Sequence, residues 1–229
     1  MPGEREARRA LADVCRRLYE RGLIAGLEGN ASVRLKNGNV LVTPAGVAKG
    51  DAHPDAMVVV DPSGRPAGGG RPSSELAVHL ELYAARDDVG AVVHAHPPAA
   101  TAFAVAGVPI PDDVVPEGIV VLGPVALVPF AAPGTGALAE RLAPFAAHHD
   151  TFLLDHHGAV TVGDTLASAY CRMESLEHTA RILLAARLLG PVRPLPPREV
   201  AGLRAQRQAS GPRSATQPRA TARRRRRKE

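Results

Sequence analysis

"RPSSELAVHLELYAARDDVGAVVHAHPPAATAFAVAG", Arg71 to Gly107, holds three elements in succession, and their order decides the class of fold. Ser73 or Ser74 can cap a helix running through "ELAVHLELYAARDD", because a hydroxyl oxygen accepts from the free N–H groups of a first turn. Leu76, Leu80 and Tyr83, flanked by Val78 and Leu82, give that helix an apolar stripe. "GAVVHAH" follows directly as a strand, in which residues i and i+2 face the same side, so His94 and His96 project together. "PAATAFAVAG" then reads as a short helix. Helix, apolar strand and helix in so short a span predict helices packed on a sheet.

Working outward, residues 4 to 21 place Ala7, Leu11, Val14, Cys15 and Leu18 at helical spacing, and Gly22 stops the run. "ASVRL", "NVLVT" and "MVVVD" are short β-branched runs separated by turn-rich loops, the pattern of antiparallel strands. Beyond Gly107, "GIVVLGPVALVPF" predicts one or two strands, "TGALAERLAPFAAHH" a helix, and "TFLLDHHGAVTV" two strands with a turn at Gly158. Thr165 to Leu189 is the longest helix, ended by Gly190 and Pro191, and "PVRPLPPREV" reads as extended linker. The expected class is α/β, with a mainly antiparallel sheet covered by helices.

A chain of 229 residues with 45% apolar and 3% aromatic residues supports one domain whose core is Ala, Val and Leu. The formal charge of +5 hides an asymmetry: residues 198–229 carry +9, which leaves the other 197 at −4. The expected division is therefore a globular domain over 1–197 and a basic, disordered tail over 198–229, whose polyanion contacts would be non-specific. Cys15 and Cys171 lie in helix-like stretches outside any metal or redox spacing. The charged N-terminus lacks an apolar leader and no run of about 18 apolar residues occurs, so a cytoplasmic protein without a membrane span is expected.

Two same-face imidazoles can close on one metal ion, and His156 and His157, after "TFLLD" and before a glycine, offer a third. Three protein ligands with an open position is the pattern of a catalytic zinc site. Glu75 opens the helix that precedes the His94 strand; it is placed either to complement the helix dipole or to reach the metal and act as a base beside a Lewis acid. "GLEGNAS", "TPAGVAKG" and "RPSSE" combine glycines, small polar side chains and a helix start, which suits a phosphate.

"GLIAGLEGNASVRL", "VLVTPAG", the Arg71–Gly107 stretch, "PGT" and "DHHGAVTVGDTLASAYCRMESLEHTARI" resemble, in order and spacing, the class II aldolase/adducin family, bacterial L-fuculose-phosphate aldolases above all. The resemblance covers residues 4 to 190. It implies a three-layer fold around a mainly antiparallel sheet, a homotetramer with sites between subunits, and retro-aldol cleavage of a small phosphorylated ketose such as L-fuculose 1-phosphate. It further implies one divalent ion per subunit, zinc first, on His94, His96 and His157, with Glu75 as exchangeable ligand and acid/base. Gly29, Asn30, Ala45, Gly46, Ser73 and Ser74 are implied to line the phosphate pocket.

Fuculose-phosphate aldolases also use an interface tyrosine, where this chain has Val115 with Glu117 nearby, and a C-terminal tyrosine that the Arg-rich tail lacks. Epimerisation of a pentulose 5-phosphate, dehydration of a thio-sugar phosphate and decarboxylation of a non-phosphorylated acid therefore stay open. So does a non-catalytic adducin-like scaffold.

Overall fold

Seven short strands carry the fold in the computed structural model, which describes residues 1–210. They are β1 (Asn30–Arg34), β2 (Val40–Val42), β3 (Val58–Val60), β4 (Ala91–Ala95), β5 (Val125–Val128), β6 (Thr151–Leu154) and β7 (Gly158–Gly163). They form one sheet in the order β3-β2-β1-β4-β7-β6-β5. Every neighbouring pair is antiparallel except β5 and β6. The strands are dense in Val, Leu and Ala because both faces of the sheet are covered, and each face has its own core.

Ala31, Val33, Ala91, Val93 and Leu153 face a layer made of α1 (Glu4–Glu20), α3 (Pro98–Val105) and α5 (Leu166–Leu189). Val42, Val92, Phe152, Val160 and Val162 face α2 (Leu76–Ala85) and α4 (Gly136–Ala146). The architecture is thus three layers, helix on sheet on helix, as the resemblance implies. The stripe expected on α1, from Ala7 to Leu18, is buried in full. Glu177, buried on α5, accepts hydrogen bonds from Ala99 N and Ala100 N, so one helix caps another.

Three expectations need correction. Of "GIVVLGPVALVPF", expected as one or two strands, only Val125–Val128 is a strand; Gly118–Leu122 forms a π-helical turn, and Gly123 at φ +66° follows it. Ser73 and Ser74 precede the cap of α2, which is Glu75 itself. Residues 198–210, expected as disordered tail, belong to α6 (Pro197–Ser210). Arg207 docks this helix by donating to the carbonyls of Val120 and Val121 and pairing with Asp150. The tail expected over 211–229 lies outside the described residues. Among the described residues no helix is long and apolar enough to cross a membrane.

Candidate metal centre and substrate cleft

Register decides where the histidines meet. His94 of β4 stands opposite Val160 of β7, and Ala95 opposite Ala159, so the end of β4 lies beside the turn that feeds β7. His94 faces the α2 side, His96 follows the strand, and His157 closes the turn between β6 and β7. That turn needs His156 at φ +55° and a glycine after His157. A Cβ on Gly158 would stand 2.6 Å from the carbonyl oxygen of Ala95 and 2.7 Å from Cδ2 of His96.

The three ring centroids lie 4.8 to 4.9 Å apart in every pairing, and one nitrogen from each falls within 4.8 Å of the others. His156 is elsewhere: its ring points outward, beside Asp155 at 2.7 Å and Phe130 at 6.3 Å.

Glu75 completes the cluster. Its side chain makes no bond to its own helix; Oε2 lies 3.0 Å from His94 Nε2 and Oε1 3.2 Å from His157 Nε2. Burial opposes ionisation of this carboxyl, but the imidazole of His94, then His157 and the amide of Asn30, hold it well below the usual carboxylate range. Burial likewise opposes a proton on His94, and the facing Glu75 carboxylate overrides it and raises the pKa. His96 is lowered by burial and then by His94, and His157 is lowered to about 4 by the same two causes.

One imidazole of the three therefore takes a proton readily, and the other two present lone pairs. Nε2 of His96 and Nε2 of His94 approach to 3.1 Å. Glu75 Oε1 and His157 Nδ1 are buried without a hydrogen-bond partner among the described residues. Three converging imidazole nitrogens and an orphaned carboxylate oxygen fit a divalent cation. Nδ1 of His94 donates to Ala159 O at 2.9 Å, which turns Nε2 toward the cluster. Three nitrogens and one oxygen suit zinc, and also iron, cobalt or manganese.

A buried polar chain stands behind Glu75. Asn30 Nδ2 donates to Glu75 Oε2 at 2.8 Å, while Asn30 Oδ1 faces His79 Nε2 at 2.5 Å. His79 Nδ1 lies 2.6 Å from Ser32 Oγ, which lies 2.8 Å from the Tyr83 hydroxyl. With the amide donating to a carboxylate, Asn30 Oδ1 must accept, so Nε2 of His79 carries the proton and Nδ1 accepts from Ser32. Burial, then the charge of His94, lower the His79 pKa to about 3, so the ring is neutral, as this pattern requires.

Backbone pairing assembles the phosphate-type loops: Ala45 N donates to Arg71 O at 2.9 Å and Ser73 N to Thr43 O at 3.0 Å. Gly29, Asn30, Ala45, Gly46, Ser73, Ser74, Glu75, His96 and His157 all line one cleft of about 130 Å³, and His94 lies buried behind Glu75. At Gly29, φ is +69° and a Cβ would meet Ile24 at 2.6 Å, so the loop needs glycine.

Sequence reasoning missed His79, Lys49 and Glu28. His79 was findable, since Glu75, His79 and Tyr83 recur every fourth residue on one helix face. Lys49 and Glu28 both line the cleft. No tyrosine does so: Tyr19 is 54% exposed, Tyr83 closes the buried chain, and Tyr170 is in the core. Val115 is half-buried and Glu117 exposed, just before the π-helical turn.

The sequence matches the family model of the Class II Aldolase and Adducin N-terminal domain over residues 9–184. It is 35% identical over 207 residues to 3-oxo-tetronate 4-phosphate decarboxylase of Escherichia coli K12, covering 88% of this chain and 96% of that one. L-fuculose phosphate aldolase of Methanococcus vannielii is 36% identical over 169 residues, 74% of this chain and 91% of its own. The crystal structure of YgbL from Escherichia coli superposes with a TM-score of 0.82 at 34% identity. That superposition covers 88% of this chain and 99% of YgbL.

Proposed function

Because this chain belongs to the class II aldolase and adducin family, we propose that it is a metal-dependent lyase that breaks a carbon–carbon bond beside the carbonyl of a small phosphorylated sugar derivative. Within that class the best-supported reaction is decarboxylation of a phosphorylated 3-oxo sugar acid. The observation that carries this choice is a cleft with imidazoles and Glu75 at one end and glycine and serine loops at the other, in a chain that has Val115 where the aldolases use their interface tyrosine.

A four-carbon 3-oxo acid 4-phosphate explains the economy. Breaking C1–C2 releases carbon dioxide and leaves the electron pair on C2, delocalised onto the C3 oxygen as an enediolate; a proton at C2 then yields dihydroxyacetone phosphate. The leaving fragment neither gains nor loses a proton. Aldol cleavage must in addition take a proton from the hydroxyl of the carbon that leaves as aldehyde, the work for which fuculose-phosphate aldolases keep a tyrosine.

His94, His96 and His157, with Glu75 as exchangeable ligand, would hold a divalent ion, which would supply positive charge opposite the enediolate oxygens. The Glu75 carboxylate takes a proton from water and delivers it to C2. Asn30 and the loops around Ala45, Gly46, Ser73 and Ser74 hold the phosphate and fix C2 against Glu75. Aldol cleavage of a ketose 1-phosphate such as L-fuculose 1-phosphate is the second reading, favoured by the likeness to the Methanococcus aldolase. The proposed assembly is a homotetramer, as the resemblance implies.

The test is a panel on purified protein: 3-oxo-tetronate 4-phosphate assayed for carbon dioxide, with L-fuculose 1-phosphate and a pentulose 5-phosphate alongside. Carbon dioxide release with dihydroxyacetone phosphate as co-product is expected, and Glu75→Gln lowers kcat at least about a hundredfold while the protein still melts cooperatively. Triose phosphate from the ketose alone establishes the second reading. A protein without stoichiometric divalent metal, indifferent to chelation in activity and stability, overturns both and leaves the scaffold.

A further inference from the structure

The chain has three lysines, Lys36, Lys49 and Lys228, against 25 arginines. Surface charge is therefore arginine's task, and Lys49 departs from the pattern in being 3% exposed. Its ammonium donates to Val47 O at 2.7 Å and to Leu27 O at 3.4 Å. No carboxylate lies within 4.0 Å of it among the described residues. A buried cation with only neutral partners is costly, and the cost falls when an anion arrives.

The location says which anion. Leu27 and Val47 belong to the two glycine loops of the cleft, and Lys49 lines that cleft with Gly29, Gly46, Ser73 and Ser74. Those residues offer neutral donors only. The two carboxylates of the cleft, Glu28 and Glu75, are engaged at its imidazole end: Glu28 Oε2 accepts from Ala25 N at 3.1 Å and lies 3.6 Å from His96 Nδ1. The cleft thus has a metal-type pole and a cationic pole. An ammonium has three protons, and two are committed to carbonyls.

We propose that Lys49 is the charged anchor of the cleft and donates its third proton to an oxygen of the substrate's phosphate. This deepens the reading above and rests on it, since it presupposes a phosphorylated substrate. A charge-assisted bond of this kind is about twice as strong as the neutral ones the loops supply. The same ammonium ties the two loops together, so binding and loop geometry meet in one side chain.

Lys49→Gln separates these roles, because an amide keeps two N–H donors for the carbonyls while the charge and the third donor are lost. Inorganic phosphate is titrated calorimetrically into wild type, Lys49→Gln and Lys49→Arg, all metal-loaded and at fixed ionic strength. Binding to Lys49→Gln is expected to weaken at least tenfold, with metal content and phosphate-free melting temperature unchanged, and Lys49→Arg is expected to bind more tightly than Lys49→Gln.

Lys49→Gln within twofold of wild type overturns the assignment. No phosphate binding by wild type overturns the phosphorylated-substrate reading itself, so the two failures differ. Should Lys49→Gln not fold, isotope-labelled lysine in the wild type carries the test. Phosphate must shift the Lys49 resonance and leave Lys36 and Lys228 in place, and an unmoved Lys49 resonance overturns the proposal.

Discussion

Glu75 occupies a helix cap yet directs its oxygens away from its own helix. Its neighbour Ser73 takes over part of that duty by accepting from Glu75 N at 3.3 Å, which releases the carboxylate to face two imidazoles. Gly158 serves the same cluster by having no side chain. Its missing Cβ leaves room for the His96 ring, and the other obstacle, Ala95 O, sits in a central strand that cannot yield.

Gly158→Ala is thus expected to cost about 1–3 kcal/mol of stability and to lower divalent-metal affinity at least tenfold by pushing the ring aside. Denaturant unfolding and a metal titration measure the two effects, and wild-type metal affinity would refute the account. At this scale the sequence was most legible where chemistry is dense: strand spacing put His94 and His96 on one face, whereas Glu75 had two placements open and only the fold sets its oxygens against the imidazoles. Lys49 could not be read, because a lysine in a loop is ordinarily solvated and only burial gives it meaning.

Helices and strands were legible wherever a period ran long enough to reveal a face. The stripe on α1 and the strand character of β4 followed from pattern alone, whereas the pairing of β4 with β1 and β7 did not. Gly118–Leu122 has the composition of a strand, but tertiary position overrode propensity. The start of the basic tail is a docked helix in which Arg207, one cation among many in the sequence, meets Asp150 and the carbonyls of Val120 and Val121.

Asp150 also accepts from Arg86 at 2.6 Å, and Arg172 lies 3.5 Å away, so α2, α5 and α6 converge on one carboxylate. Arg207→Ala is expected to remove about 1–3 kcal/mol, lowering Tm by a few degrees and raising amide exchange in α6 first. Unchanged exchange in α6 would show that its docking lies elsewhere.

The molecule as a whole keeps a neutral, fully buried His79 between its sheet and α2. Unfolded, that ring binds a proton near pH 6.5; folded, it stays neutral until about 3. Protons therefore favour the unfolded chain as pH falls below 6.5, and stability present at neutral pH is lost on acidification. Between pH 7 and 5 this one group accounts for a loss of about 2 kcal/mol. Unfolding curves across that range should show it, and His79→Gln should flatten the dependence; an unaltered slope in the variant would assign the acid sensitivity to other groups.

Helix α2 begins at the imidazoles and ends at Arg86, about 15 Å away, where Asp150 holds α6. The end of the sheet that α6 grips is thus opposite the end where the cleft opens. A biosensor chip or fluorophore coupled through α6 would hold the protein with its cleft turned outward, whereas coupling through the loop around Phe130, beside His156, would turn it toward the support.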